Sequence, residues 1–273
     1  MERESSVAET QARRAERTGD EYDKRVADGL ALMAECDYHA AAKAWRKLIK
    51  EWPGEATPYH NLAVVLGNSS HFTEAAPMYL KAMELSEDGT DVWASAVSGA
   101  YETLQHQESD ELPKPEWWND EGLKALSARV VAIAPNDASA PKMRGCVLSG
   151  GAVFETSWNA GPRTAAEIKE AATWFRRAAS VDYSQAARRH YEESASRCDA
   201  VADLMLAKEE AEAAKARATA KLEAAEALKV AEAKAKAAAD ELLAEEEKEK
   251  QKGASTKPGQ TKQGKGKKGK GKR

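Results

Sequence analysis

Cys36 and His39 stand three residues apart, the spacing of half a zinc site, and the chemistry this spacing offers is metal ligation. No second Cys or His pair follows in step. His60 and His71 come next without matching spacing, so the pair reads as a turn between helices and no metal is expected. The Gly-rich stretches "LSGGAVF" and "GKGKKGKGKR" lack the Gly-Lys-Ser/Thr ending and the preceding strand of a phosphate-binding loop. A Gly-x-Ser-x-Gly nucleophile elbow is absent too. Carboxylates are plentiful, yet on amphipathic helices they form the wet face. No catalytic residue and no cofactor is therefore implied, and the expectation is a non-enzyme.

The elements that would position any site come from composition and period. With 32% charged residues, the chain leaves little for a second core, and one folded unit with long polar ends is expected. Charge is distributed unevenly. The net charge is −4, but the nine Lys and Arg from Lys252 onward, with no acid among them, leave residues 1–251 at −13. The opening MERESSVAET is charged where a leader would be apolar or acid-free, and the longest apolar run is only Leu62 to Leu66. Neither export nor a membrane span is expected. Three widely spaced cysteines, Cys36, Cys146 and Cys198, fit a reducing compartment, so a cytoplasmic or nuclear location follows, and the Asn68-Ser69-Ser70 glycosylation pattern is then a chance match.

Self-similarity is the strongest signal. "DYHAAAKAWRKLIKEWP" aligns with "HFTEAAPMYLKAMELSE" at an offset of 34: Tyr38 meets Phe72, Ala41 meets Ala75, Trp45 meets Tyr79 and Leu48 meets Ala82. Upstream, Gly29 maps to Ala63 and Val97, and Leu32 to Leu66 and Ala100. Small residues let helix backbones approach and large ones fill the gap, which predicts antiparallel helix pairs, the first ended by Pro53. Further on the offset is 48: Val97 maps to Gly145, Ala100 to Leu148, Leu123 to Ala171, Ser127 to Phe175 and Val130 to Ala178. The 14 extra residues of each long repeat fall between its two helices. Thr164 and Glu167 are spaced as a capping box at the start of the last helix of the set.

These residues resemble the tetratricopeptide repeat (TPR) family over about residues 22–183, although Asp28 stands where the family usually has Leu and Glu87 where it has Pro. The expected fold is all-α: a TPR-like α-solenoid of about four helix pairs at 21–183, after a polar segment at 1–20. A capping helix follows at 184–206, then an Ala/Glu/Lys-rich extended helix at 207–251 and a disordered basic tail at 252–273. The cap carries Tyr191, Cys198, Val201, Leu204 and Met205 near helical spacing. The apolar residues of 207–250 keep no heptad, so a solvated helix is favoured over a coiled coil and an oligomer is not favoured.

The resemblance implies a concave binding surface built from the first helix of each pair, here Leu30, Met33, His60, Asn61, Val64, Asn68, Ser98 and Tyr101. Family members that grip acidic chaperone tails use Lys, Asn and Arg at places where this chain has Val26, Leu30, Asn61, Asp91 and Ser95. Only Asn61 matches, which points to an apolar or helical protein ligand instead. Trp117 and Trp118 in the first long insertion are either packing residues or an exposed aromatic anchor, and Trp158 in the second makes a shared aromatic ridge conceivable. In the tail, Lys262, Lys265, Lys267, Lys268, Lys270, Lys272 and Arg273 alternate with glycine and lack aromatic neighbours. They offer non-specific, salt-dependent attraction to nucleic acid or another anionic surface, without base readout. The expected function is a protein-interaction adaptor or scaffold; the alternative is an RNA- or ribosome-associated protein anchored by this tail.

Overall fold

The computed structural model describes residues 8–13 and 19–254, with side chains to residue 251; the seven tail cations named above lie outside the described residues. Two compact units divide at Lys208 and Glu209. The first contains four helix pairs: α1 (Glu21–Ala34) with α2 (Tyr38–Glu51), α3 (Ala56–Asn68) with α4 (Phe72–Leu85), α5 (Asp91–Leu104) with α6 (Asp120–Ile133), and α7 (Ser139–Ser149) with α8 (Ala165–Val181). The last helix, α9 (Gln185–Ala254), begins in this unit. Among the described residues there is no strand, and no helix is long and apolar enough to cross a membrane.

Local sequence explains where the helices start and stop. Asp20, Asp37, Thr90 and Asn119 each accept a backbone N–H of the first turn that follows them. Thr164 does the same for α8, and Glu167 reaches back to accept the Thr164 N–H at 2.9 Å, which completes the capping box. Trp52 and Pro53 end α2 because proline has no N–H to continue the ladder. At the turns after α1 and α3, Asp37 N–H donates to the Leu32 carbonyl and His71 N–H to that of Leu66. Those six-to-one bonds are Schellman closures, and they place Cys36 and Ser70 at φ of 59° and 60°. A side chain in this left-handed region costs free energy that glycine avoids. Ser70→Gly is therefore expected to stabilise the chain by about 0.5–1 kcal/mol in urea unfolding; no gain would mean that the serine relieves its own strain.

The core runs from pair to pair along the residues that the repeat aligns. Trp45, Tyr79, Ser127 and Phe175 occupy one position of the second helices, and Gly29, Ala63, Val97 and Gly145 the facing position of the first; all eight are buried. In the aligned repeat their sizes compensate: Trp45 and Phe175 are matched with glycine, Tyr79 with Ala63, and the small Ser127 with Val97. Contact distances show why. A Cβ on Gly29 would lie 2.6 Å from the Trp45 ring, and one on Gly145 3.1 Å from that of Phe175.

The insertions are mostly loop, with short helix extensions: α5 ends at Leu104, two residues past the repeat equivalent of Asn68, and α8 starts at Ala165, three residues before the equivalent of Asp120. The loops run over 105–119 and 150–164, fifteen residues each, with one short 3₁₀ turn apiece, at Gln107–Ser109 and Gly150–Ala152.

Tyr191, Ala195, Cys198 and Ala202 form the buried stripe by which α9 closes on α8, with Val201 and Met205 at its margin. Leu204 departs from the expected apolar set of this cap. It is 71% exposed, because the stripe is filled by small Ala195 and Ala202 on another face. Upstream, the polar segment contributes a short helical stretch at 8–13, where Gln11 Nε2 donates to Asp23 Oδ1 at 3.0 Å. In the second unit every side chain described, 209–251, is exposed, including Leu222, Leu228, Val230, Leu242 and Leu243. Helix propensity and spaced pairs such as Glu246 with Lys250 support that segment instead of a core.

Candidate functional site

The face expected to bind is only partly open. On α3, His60, Asn61, Val64 and Asn68 fall within about 100° of arc, with Asn68 exposed and the others half-buried. Leu30 of α1, 34 residues before Val64, is half-buried as well. Met33, Ser98 and Tyr101, expected on the same surface, are instead buried. The Ser98 hydroxyl donates to the Ala94 carbonyl of its own helix at 3.0 Å, and the Tyr101 ring is enclosed by the insertions. What remains for a ligand is an apolar and amide strip on α1 and α3.

His60 sits at one edge of that strip. Its Nε2 is 3.0 Å from Ser95 Oγ, and its ring meets Tyr79 edge-on at 5.7 Å. Burial pushes its pKa below the ordinary 6.5, against smaller upward pulls from the Asn61 side chain and the Asp137 charge. Unfolding then takes up a proton below pH 6.5. Stability from this group is complete above that pH and falls as the pH drops toward the folded-state value. The urea midpoint is expected to decline between pH 7 and 5, and His60→Gln to flatten that decline. An unchanged slope in the variant would place the titration elsewhere.

The insertions close on each other. Trp118 lies 5.7 Å from Trp117, 5.9 Å from Tyr101 and 6.1 Å from Trp158, ring centre to ring centre. Its Nε1 reaches toward the Ser157 carbonyl at 3.5 Å. Lys114 donates to the Leu104 and Ser109 carbonyls at 3.0 and 2.8 Å, with its ammonium 5.4 Å from the Trp118 ring centre. Trp117 and Trp118 are both half-buried and Trp158 is buried, so the three tryptophans come together as an inward-facing cluster and not as an exposed ridge.

Burial holds the thiols of Cys146 on α7 and Cys198 on α9 protonated at neutral pH. Cys146 is surrounded by Tyr101, Lys142 and Glu102, and burial pushes its thiol up to about 11; Cys198 is likewise raised to about 11 by burial. A thiol held protonated at neutral pH is a poor nucleophile. Lys142 and Glu102 pair at 2.6 Å and tie α7 to α5. Cys36 and His39 are both exposed around the turn into α2, and among the described residues no three His, Cys, Asp or Glu side chains gather as metal ligands.

One arrangement had no motif to announce it. Arg163, in the second insertion, forks onto both carboxylate oxygens of Asp120, 43 residues away, and also donates to the Val147 and Gly161 carbonyls at 2.9 Å. Lys124 adds contacts of 3.4 Å to Asp120 and 2.8 Å to Glu167. Burial alone would raise the Asp120 carboxyl, but the hydrogen bonds and charge of Arg163, with help from Lys124, hold it below its ordinary value. Its only sequence signal was an arginine between Pro162 and the helix cap Thr164.

Up to Lys208 the described chain is thus an all-α helical repeat of antiparallel helix pairs in sequence order, the architecture that the resemblance of its repeats implied, with a strip on the first helices left open. The sequence matches no protein-family model and no curated protein. Among solved structures it is similar to the crystal structure of YrrB, described as a TPR protein with an unusual peptide-binding site. Identity is 17%, the match covers 71% of this chain and 93% of that one, and the TM-score is 0.41. At that level the likeness assigns no binding residue here.

Proposed function

We propose that the chain is a non-enzymatic protein-interaction adaptor that holds a partner peptide or helix along the first helices of its first two pairs. The observation that carries this reading is the strip itself. Leu30 and Val64 occupy equivalent places 34 residues apart and stay half-exposed beside Asn61 and Asn68, while the equivalent Ser98 is buried. Apolar side chains with amides between them suit a helix or extended segment whose backbone also needs partners. The mutual packing of the long insertions argues for the strip over the loops. The basic tail then acts as an auxiliary anchor that raises local concentration near a polyanion.

The test is affinity co-purification of the full chain, a chain ending at Gln251, and the full chain carrying Val64→Glu, each with and without nuclease. The adaptor reading expects the same proteins on the first two chains after nuclease and their loss with Val64→Glu. Loss with the tail or with the nuclease would instead favour an RNA- or ribosome-associated protein in which the tail supplies the affinity.

A further inference from the structure

On the side of α3 about 180° from His60, Asn61 and Val64, a second surface is built around a pocket of about 500 Å³. Its apolar wall comes from Ile49 of α2, Leu62 and Leu66 of α3, and Met78 of α4. That volume lies within the range of about 300–1,000 Å³ usual for ligand pockets. The α2 edge is cationic. Arg46 and Lys50 line the pocket, and Lys43 and Lys47 continue the charge on the adjoining face of the same helix. Arg46 meets Glu74 across the opening at 3.1 Å and Lys47 lies 3.9 Å from Glu51, whereas Lys43 and Lys50 have no ion-pair partner among the described residues. This basic edge belongs to a body whose net charge is strongly negative.

The opposite wall carries an irregularity that the repeat does not explain. Pro77 stands inside α4, five residues beyond its first, and is exposed. Having no N–H, it leaves the Thr73 carbonyl without its usual partner one turn on, and both residues line the pocket. A proline at an interior helix position costs the helix on the order of 3 kcal/mol, a cost that an open surface position does not require. Here it leaves a hydrogen-bond acceptor beside an apolar recess with a cationic edge.

We infer that this surface is a second docking site, for an acidic peptide segment that inserts an aliphatic side chain among Ile49, Leu62 and Met78. Its carboxylates lie along Lys43 and Lys50, and one of its backbone N–H groups donates to the Thr73 carbonyl. Charge complementarity selects the occupant, since a basic or neutral peptide would leave the lysines unpaired. The surface is separate from the strip proposed above, so an adaptor with both would join two partners.

The probe is a synthetic octapeptide of Asp and Glu with leucine at its fourth and fifth positions, titrated into the full chain with labelled Ile, Leu, Val and Met methyls in 0.15 M salt. Shifts at Ile49, Leu62 and Met78 are expected, with Leu30 and Val64 unmoved. The same peptide with alanine for leucine should bind about tenfold more weakly, and Lys50→Glu should have a similar effect. Pro77→Ala should weaken binding about fivefold, the worth of one hydrogen bond, while it raises the thermal midpoint; a merely structural proline would give the second effect without the first. Shifts confined to Leu30 and Val64 would move the peptide to the strip and overturn this site while leaving the adaptor reading intact. Binding that moves none of these methyls, as capture by the basic tail would, also overturns it.

Discussion

Arg163→Ala is expected to destabilise the first unit by about 3 kcal/mol, the lower end of the range for breaking a buried ion pair. The Arg163 side chain is 1% exposed and that of Asp120 25%, so the carboxylate left behind would keep some water and its contact with Lys124. The carbonyls of Val147 and Gly161 would lose their guanidinium donor, and the second insertion would lose its tie to the first turn of α6. Gly150 shows how closely the guanidinium is held: its φ is 48°, and a Cβ there would lie 2.8 Å from Arg163 Nε. Arg163→Lys keeps the charge but not the fork, and should recover less than half of the loss. Urea unfolding of the three chains measures this. Asp120 is held below its ordinary 3.8, so the pair contributes fully above that pH and loses its contribution as the pH falls through the folded-state value. The gap between native chain and variant should therefore narrow in acid. A gap of under about 0.5 kcal/mol at pH 7 would reduce the cluster to a surface contact.

The difference between what was and was not legible in the sequence follows from the range of the forces. Gly29, Ala63 and Val97 could be aligned with Trp45 and Tyr79 because helix packing within a pair repeats the same size demand every 34 residues. The Thr164 cap was legible because its partner Glu167 is one turn away. Ser98 and Tyr101 were expected on an open face because the family resemblance implied one, and for Tyr101 a longer-range fact overrode it: the insertions double back over its ring and bring Trp118 and Trp158 together from 40 residues apart. Arg163 and Asp120 are separated by almost a whole repeat, and no local pattern selects one aspartate among many. The cationic edge of α2 is present in the sequence as His39, Lys43, Arg46, Lys47 and Lys50, but at helical spacing such charges do not differ from those of any solvated helix face. Only the recess between α2, α3 and α4 gives that edge a use.

Size compensation between facing helices leads to a test whose sign is opposite to that of ordinary helix propensity. Gly29→Ala should improve an isolated helix by up to about 1 kcal/mol. In this protein it is expected to destabilise by about 1–3 kcal/mol, because the new methyl would lie 2.6 Å from a Trp45 ring that is 0% exposed and has no room to move. Gly67→Ala supplies the control. That glycine also lies within a first helix but meets nothing within 4 Å, so alanine there should stabilise by about 0.5–1 kcal/mol. Trp45→Phe shortens the ring facing Gly29 and removes an indole N–H that is buried without a partner. Combined with Gly29→Ala, it rebuilds the small-against-aromatic pairing in the manner of Ala63 with Tyr79, and the double variant should recover about 1–2 kcal/mol relative to the sum of the singles. Gly145→Ala, 3.1 Å from Phe175, should show the same sign with a smaller loss. If Gly29→Ala stabilised the chain as Gly67→Ala does, small-to-large complementarity would not be what sets the spacing of these helix pairs, and the aligned positions would owe their pattern to something other than packing.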